Sequence, residues 1–215
     1  MITVDKNAKC SVVAYELLHD NSPLSIVDRI FEAVDSGALS PDCIYLTLEP
    51  LPIVEYAVKE ARKRMIPVFC DAGPHTKTLS ADALRNIDII APNEIEAEQL
   101  TGIAVHTIAA AKRAARMLAS QGPREVLITL GPKGAYYFNA ASGAEQTVRA
   151  VPVQAIDETG AGDAFRAAFV HEWLRTKDVQ KALGKARLAG AYAVTHLGGY
   201  DAMPTVAQLK HISVV

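Results

Sequence analysis

Short runs of β-branched and aliphatic residues alternate with longer stretches in which apolar positions recur every three or four residues. Cys10–Tyr15 reads as a strand. Pro23–Asp35 reads as a helix, with Leu24, Val27, Ile30, Phe31 and Val34 on one face. Cys43–Leu48 is a second strand, followed by a helix from Pro52 to Arg64, where proline suits the first turn. Ile66–Asp71 and Ile87–Ala91 are further strands. Asn93 then caps a helix that runs through Leu100 and stops near Gly102. A helix over Thr107–Ser120 leads into the apolar strand Val126–Leu130. The turn Gly131-Pro132-Lys133-Gly134 folds the chain back as a hairpin into Ala135–Phe138. Gln146–Val151 supplies one more strand. From Ala161 to Thr195 the pattern is helical almost throughout, with a break around Lys177-Asp178. Alternating strands and helices with apolar strands predict an α/β three-layer sandwich, a mostly parallel central sheet covered by helices on both faces. No fixed-period repeat, low-complexity tract or linker divides the chain, so residues 1–215 read as one domain.

Composition narrows the classes. With 22 Lys+Arg against 24 Asp+Glu the formal charge is −2, which argues against a nucleic-acid binder relying on a basic surface. Half of the residues are hydrophobic and 21% are charged, enough for a sizeable core and too apolar for a disordered chain. No apolar run reaches the roughly 18 residues of a membrane helix, and the polar start Met1-Ile2-Thr3-Val4-Asp5-Lys6 does not suit a signal peptide. The three cysteines, Cys10, Cys43 and Cys70, are far apart and form no CxxC pair, which fits reduced, mostly buried thiols. The expectation is a soluble cytoplasmic chain. The six histidines show no ligand spacing, and Lys112-Arg113-x-x-Arg116 reads as a solvated helix face.

The most informative stretch is Asp157-Glu158-Thr159-Gly160-Ala161-Gly162-Asp163, just ahead of the long helix. Small residues at a helix start leave backbone N–H groups unshielded, which makes an anion site. There Asp163 is placed to take a proton from a hydroxyl, and Asp157 to hold a cation. An acidic N-cap with glycines for a tight turn explains the same spacing equally well. No GxxxxGK[ST] is present, and Gly160-x-Gly162-x-x-Phe165 lacks the third glycine of a dinucleotide fingerprint. Asn93-Glu94-Ile95-Glu96 follows a strand, so its polar groups fall at the carboxyl end of the sheet. Asn93 and Glu96 there suit a magnesium ion steered through water, or simply a helix cap with an acidic first turn. Thr129-Leu130-Gly131-Pro132-Lys133-Gly134 lets backbone approach a phosphate or base, with Lys133 as a mobile charge, or is a plain hairpin turn.

Together, in this order and spacing, these segments resemble the ribokinase (PfkB-type) family of carbohydrate and nucleoside kinases. Ile156 to Phe165 is similar to that family's C-terminal signature, Ala91 to Gly102 to its Asn-x-x-Glu motif, and Leu127 to Ala135 to its nucleotide hairpin. The resemblance covers nearly the whole chain from about Cys10. It implies an ATP-dependent, magnesium-requiring kinase that phosphorylates a sugar or sugar-like hydroxyl. Asp163 would be the general base, and the amides of Gly160, Ala161 and Gly162 would stabilise charge on the transferred phosphoryl group. Asn93 and Glu96 would organise phosphate and magnesium. Thr129, Gly131 and Gly134 would line the nucleotide site, with Ala193 to Gly198 near the adenine. Asp157 and Thr159 stand where a monovalent cation such as potassium would bind. Glu49 matches a sugar-contacting position, or is a surface carboxylate at a strand end.

The chain also departs from that pattern. It lacks the leading strand, the diglycine sugar-binding segment and the small β lid, as if it began where roughly the last two thirds of such a protein would. Most acceptor contacts and the closure that excludes water are then missing. A sheet edge is left for a second copy or another chain to cover. Glu158 stands where the signature has threonine and adds negative charge beside a phosphate site, which costs energy unless the side chain points away. Ala202 replaces a serine found near the monovalent cation in some members. The alternative to a kinase is a nucleotide-binding or regulatory fragment that transfers nothing.

Overall fold

The computed structural model describes residues 2–4, 10–12, 24–47, 50–73 and 79–209. Eight strands form one sheet in the order β2-β1-β3-β4-β5-β6-β7-β8. They are β1 (Ile2–Val4), β2 (Cys10–Val12), β3 (Ile44–Thr47), β4 (Val68–Asp71), β5 (Ile89–Ile90), β6 (Glu125–Thr129), β7 (Ala135–Asn139) and β8 (Glu145–Val148). The central four, β3 to β6, run parallel. An antiparallel pair flanks them on each side. The strand β1 has no counterpart in the sequence reading. It pairs antiparallel with β3, Ile2 opposite Tyr45 and Thr3 opposite Ile44, so the sheet edge lies one strand further out, at β2.

The period-2 alternation of the strands divides the core. Ile44 and Leu46, Val68 and Cys70, and Val126 and Ile128 face one way and pack beneath α1 (Ser25–Asp35), α2 (Leu51–Lys63), α4 (Glu94–Thr101) and α5 (Ile108–Ser120). Tyr45, Phe69 and Leu127 face the other way and pack beneath α6 (Ala161–Thr176) and α7 (Val179–Val194). The three layers predicted from the pattern are therefore present. Two one-turn helices, α3 (Ala81–Leu84) and α8 (Val206–Leu209), and a 3-10 turn over Gly131–Lys133 complete the described elements; so few residues cannot show periodicity. Lys112 and Arg116 both pair with Glu145, at 2.6 and 2.7 Å, and tie α5 to β8. Among the described residues, no helix is long and apolar enough to cross a membrane.

Two predicted boundaries rest on caps that the structure shows in full. Asn93 Oδ1 accepts from the amides of Ile95 and Glu96, both at 2.9 Å, and Glu96 Oε2 accepts in return from the Asn93 amide at 2.8 Å. That reciprocal box starts α4, and Gly102 ends it in the left-handed region. The break between α6 and α7 is Lys177 at φ 54°, with Asp178 capping α7 through the Lys181 amide.

Candidate active site

The parallel strands end together, and the residues just past each end set the chemistry available there. Asp71 closes β4, Ala91 to Asn93 follow β5, and Thr129 closes β6, bridged to Asn93 in parallel register. The start of α6 lies over the ends of β4 and β5, and Arg166, one turn in, reaches down to both. Its Nη2 lies 2.8 Å from Asp71 Oδ2, and its Nη1 donates to the Ala91 carbonyl at 3.4 Å. The same Nη2 lies 3.3 Å from Asp163 Oδ1. Tyr45 Oη donates to Asp71 Oδ2 at 3.2 Å, while its ring stacks on Phe69 at 5.1 Å. Tyr45, Asp71, Arg166 and Asp163 are thus one connected cluster. Only its outer member is open to solvent: the Asp163 side chain is 65% exposed, against 6% for Asp71 and 8% for Arg166.

Burial and charge compete within the cluster. Burial pushes the Asp71 carboxyl above the usual aspartate range, with Arg166 opposing it. Burial likewise raises Glu96, against the Asn93 amide that donates to it. Burial also works against the charge of Arg166, but Tyr45, Asp71, Asp163 and Glu96 around it outweigh that and hold the guanidinium in its charged form.

Several predicted residues converge here. Asp163, Gly162, Ala161 and Gly160 form the start of α6, with Gly160 at φ 77° as its N-cap. That conformation suits glycine, and a Cβ there would meet Met203 Cε at 2.8 Å. Ala161 already donates its amide to the Glu158 carbonyl at 3.2 Å. The amides of Gly162 and Asp163 have no preceding helical carbonyl to bond, and the helical ladder begins with Ala164, which donates to the Gly160 carbonyl at 2.9 Å. Glu158 itself is exposed. Asn93 and Glu96 sit beside the cluster with their polar atoms engaged in the cap, Asn93 Nδ2 donating to Glu96 Oε1 at 2.8 Å.

The remaining predicted residues make contacts of their own. Gly134 is buried with φ 102°, and a Cβ would lie 1.9 Å from the Val148 carbonyl oxygen. It is the close approach of β8 that requires glycine there. Lys133, expected to be mobile, donates to the His106 carbonyl at 2.8 Å. Thr129 is half-buried and Gly131 exposed, the latter with space for a Cβ 3.6 Å from Glu94 Oε1. Ala193 is fully buried beside Ala164, Ala189 and Leu209. Asp157 uses both carboxylate oxygens on backbone, accepting from Thr159 at 2.9 Å and Gly198 at 2.9 Å. These bonds hold its carboxyl below the ordinary range, the Gly198 amide most strongly. They also pin the loop before α6 to the one after α7. Glu49 lies outside the described residues.

Sequence reasoning missed Arg166, Asp71 and Tyr45. One signal was available: Arg166 falls on the inward stripe of α6 with Ala164, Phe165, Phe169 and Val170, and a charge in such a stripe needs a buried partner.

Comparison with known proteins identifies the family. Residues 45–206 match the pfkB family carbohydrate kinases. The chain is 36% identical over 205 residues to a ribokinase of Haemophilus influenzae, covering 95% of this chain and 65% of that protein. It is 36% identical over 185 residues to a deoxyribokinase of Salmonella typhi, covering 86% and 58%. The structure of Arabidopsis thaliana ribokinase complexed with ribose and ATP superimposes with a TM-score of 0.75 at 26% identity, over 97% of this chain and 66% of that one. This chain therefore spans 58% and 65% of the length of these two curated relatives. The match over residues 45–206 and the identity to these relatives place the chain in the pfkB family of carbohydrate kinases.

Proposed function

We propose that this chain carries the phosphoryl-transfer half of an ATP-dependent sugar kinase, with a hydroxyl of ribose or a ribose-like compound as acceptor. The observation that carries the reading is the Asp163 carboxylate, exposed at the first turn of α6 beside unshielded amides and backed by a buried cation. The acceptor class follows from the relatives, which are named ribokinase and deoxyribokinase.

In this reading Asp163 Oδ2 takes the proton of the acceptor hydroxyl as that oxygen forms its bond to the γ-phosphorus. The bond from phosphorus to the bridging oxygen breaks, and ADP leaves. The amides of Gly160 and Gly162, with the positive end of α6, stabilise the charge on the phosphoryl oxygens. The Ala161 amide joins them by exchanging its turn bond to Glu158. Asn93 orients the phosphates through the Nδ2 proton that its bond to Glu96 leaves free. Among the described residues, no group of three His, Cys, Asp or Glu could hold a metal directly. The donor set therefore fits a hydrated magnesium that arrives on the nucleotide, with Glu96 meeting it through water. That ion would neutralise phosphate charge during transfer.

The test is acceptor-dependent ADP formation by the full chain across ribose, deoxyribose and other pentoses, alongside Asp163→Asn. The variant is expected to lose about 100-fold or more in turnover while nucleotide affinity changes less than about threefold. Equal turnover in the variant removes Asp163 from the role of base. A folded chain that binds ATP and turns over no sugar supports the reading as a nucleotide-binding module.

A further inference from the structure

Arg166 belongs to the buried stripe of α6, yet among the described residues it is the one side chain joining the sheet to the exposed acid. Its guanidinium is held from three directions. Asp71 Oδ2 lies 2.8 Å from Nη2, the Ala91 carbonyl 3.4 Å from Nη1, and Gly162 stands alongside with no side chain to displace it. A Cβ on Gly162 would come within 3.1 Å of Nη2. Nε is buried without a hydrogen-bond partner among the described residues. The head group has therefore already lost its conformational freedom to the ends of β4 and β5. An ion pair between residues three apart on a helix surface is ordinarily weak, because two long side chains must be ordered together. Here only the short Asp163 side chain has freedom left to lose.

We propose that Arg166 is a positioning residue for the transfer step. Anchored by Asp71 and Ala91, it holds Asp163 Oδ1 at 3.3 Å and leaves Oδ2 as the oxygen that faces the acceptor hydroxyl. Without it, an exposed aspartate in the first turn of a helix samples several χ1 rotamers. The fraction of time in which Oδ2 can reach a hydroxyl falls with each rotamer added. The inference deepens the reading of Asp163 as base and rests on it.

Its test separates the two. Three-bond couplings from the Asp163 amide nitrogen and carbonyl carbon to Cγ, measured on the uniformly labelled full chain, report χ1 without any turnover. The wild-type chain is expected to show the couplings of a single rotamer, Arg166→Lys largely to keep them, and Arg166→Met to average them. Because Arg166→Met strands a buried carboxylate and is at risk of not folding, Asp71→Asn/Arg166→Met carries the same test with no charge left behind. Couplings already averaged in the wild type, or unmoved in a folded variant without Arg166, overturn the proposal. In turnover assays, removal of Arg166 is expected to lower kcat about tenfold or more, with acceptor and nucleotide KM within about threefold. Averaged couplings with unchanged kcat also overturn it. A wild-type chain that phosphorylates no acceptor defeats the base assignment instead, and the couplings then decide the Arg166 hold alone.

Discussion

The two ends of the parallel strands each carry a carboxylate taken out of water, Asp71 buried at one and Glu125 half-buried at the other, and they treat it differently. At the carboxyl end Asp71 meets a cation that is itself buried, at 2.8 Å, and that cation reaches on to a solvent-exposed acid. At the amino end Glu125 opens β6 and meets a neutral donor, the Asn139 side-chain amide at 3.1 Å, while its Oε2 is buried without a partner among the described residues. The ion pair at that end, Arg124 with Asp88 at 3.1 Å, has its guanidinium half in solvent, and the other Asp88 oxygen accepts from the Val68 amide at 2.9 Å, a backbone group and no second acid. A buried ion pair is rarely the most stable way to fill a core, since desolvation offsets most of the attraction. Among the described residues such a pair stands at one end of the sheet only, beneath the turn that presents Asp163.

The contrast is sharpest in stability. Arg166→Met leaves the Asp71 carboxylate buried without its cation and is expected to cost about 3–5 kcal/mol. That lowers the melting temperature by roughly 6–20 °C in a chain of this length. Adding Asp71→Asn is expected to recover more than half of the loss. Arg124→Met at the other end is expected to cost less than about 1 kcal/mol, as exposed pairs do. Thermal melts of the four chains settle it, and equal losses at Arg166 and Arg124 would break the distinction between the ends.

How much of this was legible in the sequence depends on the range of each signal. The α4 boundaries were readable because Asn93, Glu96 and Gly102 act within one helical turn. The two faces of the sheet were readable because alternation is local. The start of α6 was readable because glycines and an aspartate ahead of an apolar helix are a short-range signature. The partners of Arg166 were not: Asp71 and Ala91 lie 95 and 75 positions away in the chain, and only strand order brings them beneath α6. Gly134 was legible as a turn glycine, but its actual constraint, the Val148 carbonyl, comes from a strand further along the chain. Asp157 read as a cation ligand because a carboxylate beside glycines suits one. Its amide partner at Gly198, 41 positions on, is a contact that spacing does not encode. The strand at Ile2–Val4 was too short to show alternation against its polar surroundings.

Glu125 gives a smaller effect with a definite sign. Burial holds its carboxyl above the ordinary glutamate range, opposed by Tyr137 and Asn139 and reinforced by Asp88. As pH falls, the folded chain takes up that proton before the unfolded chain does. Its contribution is therefore fully present below about pH 4.3, the ordinary glutamate value, and is lost as pH rises through the folded value. Glu125→Gln removes the titration. Relative to wild type, the variant is expected to gain stability from about pH 4 to 7. Denaturant midpoints across that range measure it, and a flat difference would mean that Glu125 is as well solvated as a surface acid.

Asp157 should show the opposite slope, and the smallest effect. It lies at the carboxyl end, outside the buried cluster. The amides of Gly198 and Thr159 hold its carboxyl below the ordinary range. Its contribution is present above about pH 3.9, the ordinary aspartate value, and is lost as pH falls through the folded value. Asp157→Asn is therefore expected to be slightly less stable at neutral pH and to lose less on acidification, so the two curves converge at low pH. The amide side chain still accepts through one oxygen, so only one of the two loops stays held. Hydrogen exchange should then quicken at Gly198 or at Thr159, but not at the Asn93 cap, whose bonds are independent of Asp157. If exchange rises at the Asn93 cap as well, the loop pin and the cluster are one cooperative unit, and the carboxyl end is organised as a whole rather than through Arg166.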